Sequence, residues 1–246
     1  MKAIYLAGGK KSNIAIKVMT QHLKALEHRV TRTADDPLGW DVTLRWGISY
    51  EGNKPSLNGR VNQFDKMEAL IKFERCGIKG PKVFTDWRLL RDEDFPVLSR
   101  KVHHTKGKDI IVCKTKRAAS LHPQDFFTPW IPTETEYRVW VINGRVISIS
   151  EKQFKGEGEY KGYMRNQRFG FKFGKRDDLR RVEEIETPCI QAVEALDLDW
   201  GAVDILLGKD GNYYVLEVNS MPAIENEKRS SGIRLAAHVS KWAERQ

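Results

Sequence analysis

Hydrophobic and polar positions along the chain fall into two periods. Lys2–Gly8 (KAIYLAG) is an apolar run of strand length, Asn13–Leu26 has helical spacing, and Trp40–Ile48 (WDVTLRWGI) reads as a second strand, which together make a small α/β unit. Asn62–Cys76 turns helical, with Met67, Leu70 and Ile71 on one stripe, Gly77 as its stop and Pro81 beyond. A strand-rich region follows: Pro96–Val102 and Asp109–Lys114 are joined by HHTKGK, and Tyr137–Ile142 and Val146–Ser150 flank Asn143-Gly144, a favoured hairpin dipeptide. A basic, glycine-containing stretch, Gly156–Arg181, precedes a helix over Glu184–Leu196, a last pair of strands and a C-terminal helix near Ile233–Trp242. This order predicts an α+β protein rather than a doubly wound sheet.

The last strand pair, GAVDILLGKDGNYYVLEVNSMPAIE from Gly201 to Glu225, carries the sharpest chemistry. With Asp210-Gly211 as the turn, residues whose numbers sum to 421 face each other, which sets Asp204 opposite Glu217. Alternation then gives one apolar face (Val203, Ile205, Leu207, Tyr214, Leu216, Val218). The other face holds Ala202, Asp204, Leu206, Val215, Glu217 and Asn219. Two carboxylates directly across a ladder repel, so the pair calls for a compensating positive charge. Carboxylate and amide oxygens are hard ligands, and a partial set completed by water and phosphate suits Mg²⁺ better than zinc. The competing reading is a solvated acidic hairpin face. GGKKS at Gly8–Ser12 lacks the earlier glycine of a phosphate loop and reads as a strand-to-helix turn.

Composition narrows the class without naming a fold. The 246 residues carry 42 Lys+Arg against 33 Asp+Glu, a formal charge of +9, which favours anionic partners. Seven Trp, ten Phe and seven Tyr argue for a folded chain rather than a basic disordered tail. No apolar run approaches a membrane span and the N-terminus is too short for a secretory signal, so the expectation is a cytoplasmic protein without membrane contact. Cys76, Cys113 and Cys189 are widely spaced and support neither a disulfide framework nor a thiolate zinc site.

The residues now in hand resemble a known family. LEVNSMPAIE preceded by GAVDILL and a DG turn is similar to the C-terminal metal-binding signature of ATP-grasp ligases, above all the RimK-like carboxylate-amine ligases. Asp65-Lys66 with GIKGPKVF, PVLSRKVHHTKGKDII and FFTPWIPTETEYRVWVINGRVI resemble, in turn, the entry to the grasp, the strand-loop-strand that covers the phosphates, and the adenine hinge with its arginine strand. The resemblance implies a pre-grasp α/β domain over residues 1–61 and an α+β ATP-grasp domain over 62–246. Its N-terminal lobe would be 62–131 and its C-terminal lobe 132–246, gripping a nucleotide between them. It also implies ATP as cofactor with one or two Mg²⁺ ions, or Mn²⁺ in their place.

Carried over residue by residue, Asp204, Glu217 and Asn219 would hold the metal, and Arg138 would contact the γ-phosphate and then the acyl phosphate. Lys66, Arg100, Lys106 and Gly107 would sit on the phosphates, the backbone at Trp130 and Ile131 would meet adenine, and Glu136, on Arg138's face, would reach the ribose. Arg138 has a structural alternative, an ion pair with Glu151 on the same face; Lys66 has one as a helix-surface lysine. The sequence departs from the family in having Gly107 alone in the covering loop, Arg100 where lysine is common, and Pro129 near the hinge acid.

The implied reaction activates a carboxylate as its acyl phosphate, which an amine then attacks to give an amide, ADP and phosphate. The expected partners are ATP, an acidic small-molecule or peptide carboxylate, and an amine. Lys152–Arg181 holds ten basic residues interleaved with Tyr160, Tyr163, Phe169, Phe171 and Phe173. Such a mixture suits either a loop closing over the substrates, with Arg165 and Asn166 facing them, or single-stranded nucleic acid. Nucleic-acid binding through the same nucleotide site is therefore the alternative function. The last segment, Glu183–Gln246, reverses the charge with twelve acids against six bases.

Overall fold

The structure, a computed structural model, describes residues 1–8, 13–33, 35–36, 38–47, 52–59, 64–103, 109–157, 160, 162–175, 182–224 and 230–246. Three sheets organise it. The N-terminal sheet is parallel, in the order β2 (Arg29–Thr31), β1 (Ala3–Gly8), β3 (Val42–Trp46), β4 (Ser56–Leu57), with α1 (Asn13–Ala25) returning the chain from β1 to β2. A small antiparallel sheet runs β6 (Ile111–Cys113), β5 (Val97–Arg100), β7 (Phe126–Pro129). The large antiparallel sheet runs β10 (Phe171–Lys175), β9 (Arg145–Phe154), β8 (Thr133–Ile142), β11 (Trp200–Gly208), β12 (Tyr213–Asn219). The further α-helices are α2 (Lys66–Arg75), α3 (Lys116–Leu121), α4 (Val182–Ala195) and α5 (Ser230–Ala243).

Long periodic segments form as the pattern predicts, and short ones do not announce themselves. β2 and β4 have three and two residues, too few to show a period. β10 lies inside the basic stretch and β7 inside the hinge segment. The helix expected from Asn62 starts at Lys66, because Asp65 caps it: its carboxylate accepts from Glu68 N–H at 2.8 Å and Glu68 accepts from Asp65 N–H at 3.1 Å. Gly77, at φ +73°, ends the segment as expected.

The large sheet is buried differently on its two faces, and this creates the site. Tyr137, Val139, Val203, Ile205 and Val215 form one core with α2 and α4. On the opposite face only the lower end is apolar: Trp140, Ile142, Trp200 and Ala202 share a second core with β1, β3, α1 and α5. Trp46 of β3 packs at a tilt against Trp200 with ring centroids 4.6 Å apart, tying the parallel sheet to the large one. The upper end of that face is left to charged side chains. The small sheet has its own core of Phe84, Leu90, Val97, Cys113, Ala119 and Phe127. Among the described residues no helix is long and apolar enough to cross a membrane.

Asn58 pins the junction of β4 and β11. It is 1% exposed, its Oδ1 accepts from the N–H groups of Asp199 (2.8 Å) and Trp200 (3.0 Å), and its Nδ2 donates to Trp200 O (2.9 Å). Asn58→Ala removes a hydrogen-bond partner from three main-chain groups, two of them buried, and is expected to destabilise the chain by about 2–4 kcal/mol. Urea denaturation checks this, and a loss below about 0.5 kcal/mol would contradict the role given to the side chain.

Candidate functional site

The β11–β12 hairpin places Asp204 opposite Glu217 and Ala202 opposite Asn219, as the sum of 421 requires. Beyond Asp204 the sum becomes 420: Ile205 faces Val215, Leu206 faces Tyr214 and Leu207 faces Tyr213. A β-bulge at Leu216 absorbs one residue and reverses the alternation toward the turn. The face assignment therefore needs correction. Tyr213 and Val215, not Tyr214 and Leu216, join Val203, Ile205 and Leu207 in the core. The two carboxylates lie on the unshifted side of the bulge.

A second bulge decides which β9 residues reach the site. From the Asn143-Gly144 turn, Ile142 faces Arg145 and Val141 faces Val146, but Trp140 faces Ser148 and Arg138 faces Ser150, so Ile147 is the extra residue. Glu151 consequently faces Tyr137, on the other side of the sheet from Arg138, and accepts a hydrogen bond from Thr135 Oγ1 at 3.3 Å. The pairing of Arg138 with Glu151 is thus overturned. Arg138 instead grips Asp204, its neighbour across β11, with Nε on Oδ1 at 2.7 Å and Nη2 on Oδ2 at 2.8 Å. Lys152 takes the place expected of Glu151 and ion-pairs with Glu136.

Two elements from outside the sheet close the constellation. Lys66, first residue of α2, reaches Glu217 through its ammonium, and Asn219 Nδ2 donates to the other Glu217 oxygen at 2.8 Å. Arg100, last residue of β5, lies over the Phe126 ring at 5.1 Å and within electrostatic reach of Glu217. The Phe173 ring of β10 lies 4.4 Å from the Arg138 guanidinium and 5.2 Å from the Lys152 ammonium. Four cations, Lys66, Arg100, Arg138 and Lys152, thus meet three carboxylates, Glu136, Asp204 and Glu217. Burial lowers the Arg100 and Lys152 pKa values, and the carboxylates oppose it. The surplus of positive charge in a half-buried site favours an anionic guest.

Burial by itself would raise the Glu217 carboxyl, but Lys66, the Asn219 amide and Arg138 outweigh it and hold the group at about 2. The group is therefore ionised at any working pH. Its contribution to stability is complete above the ordinary value of 4.5 and is lost as pH falls through that value toward 2. Lys66→Met is expected to move the Glu217 titration upward, read from its carboxyl carbon-13 shift. An unmoved titration would show that another group holds it.

The remaining expected residues fall at varied distances from this chemistry. Glu136 shares the Arg138 face but is 7% exposed and engaged by Lys152. The Trp130 N–H donates to Pro96 O at 2.8 Å and Ile131 O accepts from Thr133 Oγ1 at 2.8 Å, so half of the expected hinge contacts are used internally. Arg165 donates to the main-chain carbonyls of Thr133 (2.7 Å) and Glu134 (3.1 Å). Asn166 accepts from Arg168 N–H through Oδ1 at 3.0 Å, a turn-forming contact. Lys106 and Gly107, like the GGKKS segment from Gly9 on, lie outside the described residues.

Lys152 is the member that the sequence reading missed. Its signal was the alternation from Arg138 through its β9 partner, which holds only once the bulge is known. The donor set Asp204, Glu217 and Asn219 suits a hard cation. Among the described residues no three or more His, Cys, Asp or Glu side chains are placed to hold one metal ion by themselves, so such a cation would complete its shell with oxygens from guest and solvent.

Solved structures share this architecture over nearly the whole chain. The ATP-grasp ligase PsnB complexed with minimal precursor superposes with a TM-score of 0.69 at 13% identity, covering 99% of this chain and 98% of that one. D-alanine–D-alanine ligase from Bacillus anthracis complexed with ATP gives 0.65 at 13%, covering 100% and 98%. The fold is the ATP-grasp fold. Residues 88–243 match the RimK-like ATP-grasp domain, and the chain belongs to that family. Among curated relatives, the probable alpha-L-glutamate ligase of Vibrio atlanticus is 24% identical over 200 residues, 74% of this chain and 63% of the relative. That of Picosynechococcus is 24% identical over 160 residues, 61% of this chain and 50% of the relative. The chain thus spans between half and about two-thirds of the curated relatives it matches.

Proposed function

We propose that the protein is an ATP-dependent carboxylate-amine ligase that forms an amide through an acyl phosphate, releasing ADP and phosphate. The observation that carries this reading is the register of β8, β11 and β12, which gathers Arg138, Asp204 and Glu217 at one point of a sheet face. Family membership and the ATP- and Mg-bound neighbours support it.

In this reading Asp204, Glu217 and the Asn219 amide oxygen hold Mg²⁺, which when bound supplies charge neutralisation on the nucleotide phosphates. Arg138 releases Asp204 to take the transferring phosphoryl group, its planar fork matching two phosphate oxygens. Lys66 and Arg100 neutralise the remaining phosphate charge from α2 and β5, with Lys106 and Gly107 assigned to the covering loop. Lys152, freed from Glu136, faces the same point from β9 and stabilises the oxyanion when the amine attacks. Adenine would meet the hinge backbone at Trp130 and Ile131, through the Trp130 carbonyl and the Ile131 N–H. Residues 1–61 would form the pre-grasp part, 62–131 and 132–246 the two lobes.

No observation favours the nucleic-acid reading. Apart from Phe169, which is 40% exposed, the aromatic residues of the basic stretch are engaged within the protein: Tyr160 lies 4.8 Å from Phe171 and 5.4 Å from Phe154, Tyr163 is in edge contact with Trp130, and Phe173 lies against Arg138. A stacking platform needs exposed rings. The test of the ligase reading is ADP release with Mg²⁺ and ATP across a panel of carboxylates and amines, followed by product mass. Nucleotide that binds with no dependence on Glu217, together with no ADP from any pair, would sink it.

A further inference from the structure

Strands β8 and β9 part company before either ends. Their pairing stops at Tyr137 opposite Glu151, yet β8 extends back to Thr133 and β9 runs on to Phe154. Each keeps its outer partner: β8 pairs with β11 down to Thr133, and β9 pairs with β10 out to Phe154. The sheet therefore forks, and a cavity of about 670 Å³ fills the fork, lined by Thr133–Thr135 on one prong and Glu151–Phe154 on the other. The volume is that of a pocket for a ligand of a few residues, within the usual range of about 300–1,000 Å³. Trp130 and Tyr163, in edge contact at 4.8 Å, wall it on the hinge side.

The fork exposes main chain alongside the charged residues Lys209, Glu134 and Glu151, which also line it. Lys152 is committed to Glu136 at the crotch, and the Arg165 guanidinium is spent on the carbonyls of Thr133 and Glu134. Arg165 thus supplies donors of the kind a neighbouring strand would give. Lys209 can take the carboxylate of a free amino acid, but only an extended peptide uses the β8 strand edge that the fork opens.

We propose that the fork between β8 and β9 binds an extended peptide segment as a strand added to the β8 edge, with Arg165 holding its place in the peptide-free protein. Its inner end opens on Lys152 and so on the Arg138–Asp204 pair, which makes the segment a part of the ligase substrate. Only that last step rests on the function proposed above.

The test uses the full chain and a randomised synthetic hexapeptide library, panned against wild type and the fork-filling Gln153→Trp variant. Enriched peptides are resynthesised with one N-methyl group at a time and their binding measured by calorimetry. N-methylation at every second position is expected to weaken binding about tenfold and the intervening positions to leave it unchanged, because alternate N–H groups face the partner strand. Arg165→Ala is expected to bind these peptides at least as tightly as wild type. No enrichment over Gln153→Trp, no alternation, or displacement of the peptide by ADP or free glutamate would overturn the assignment. Peptide binding with the alternation but no ADP release would leave the site standing and remove the ligase reading.

Discussion

Asp204→Asn and Glu217→Gln are both expected to lower amide-forming turnover by about 10²- to 10³-fold, and the first is expected to damage the fold more than the second. Asp204 has 8% of its side chain exposed and accepts both arms of Arg138, itself 19% exposed. Removing its charge strands a guanidinium in a poorly solvated place, which costs about 3–5 kcal/mol. Glu217 is a quarter exposed, and its partner Lys66, equally exposed, can rehydrate its ammonium when the carboxylate goes. That rehydration offsets part of what the lowered Glu217 carboxyl contributes, leaving a loss of about 1–2 kcal/mol. The pair of variants separates the two roles of the site. Urea midpoints should fall sharply for Asp204→Asn and less for Glu217→Gln, while ADP release collapses in both. Equal midpoints would remove the Arg138–Asp204 pair as a structural element, and undiminished turnover in either variant would remove that residue from the metal set.

How much of this site was legible in the sequence turns on two bulges. The Asp210-Gly211 turn fixed the register of Asp204 with Glu217 because both lie on the unshifted side of the Leu216 bulge. For β8 and β9 the same reasoning from Asn143-Gly144 gives a sum of 287, true at Ile142 and Val141 and false from Trp140 onward. One extra residue, Ile147, turned Glu151 out of the site and Lys152 into it. Ile147 is an ordinary half of an apolar alternation, 7% exposed, and nothing in its type marks it as unpaired. Bulges are tertiary choices, made here where a strand must serve the α4 side of the sheet and the α5 side at once.

The helices were legible because their periods are long and their stops are chemical, as at Asp65 and Gly77. The short parallel strands β2 and β4 were not, because two or three residues carry no period and owe their conformation to β1 and β3. Lys66 shows the same dependence on context. In the sequence it is a surface lysine at a helix start, and only the packing of α2 beside β12 brings its ammonium to Glu217.

Arg138 carries the second large effect, and its sign differs between two measurements. In the ligand-free arrangement the guanidinium occupies both oxygens of Asp204, one of the proposed metal ligands, so cation and arginine compete for the same carboxylate. Arg138→Met removes the competitor. Without nucleotide, the variant is expected to bind Mn²⁺ several-fold more tightly than wild type, by paramagnetic resonance titration, since an uncompensated buried carboxylate seeks another cation. With ATP and substrates the same variant is expected to lose about 10²- to 10³-fold in turnover, because nothing replaces the fork on the phosphoryl group. Arg138→Lys should fall between, restoring the charge but not the two parallel hydrogen bonds. Phe173, 4.4 Å from the guanidinium, gives the arginine a second resting contact once Asp204 is taken by metal, so Phe173→Leu should weaken turnover without raising Mn²⁺ affinity. If Arg138→Met binds Mn²⁺ no better than wild type, Asp204 is not a metal ligand, and the pair with Arg138 is its whole purpose.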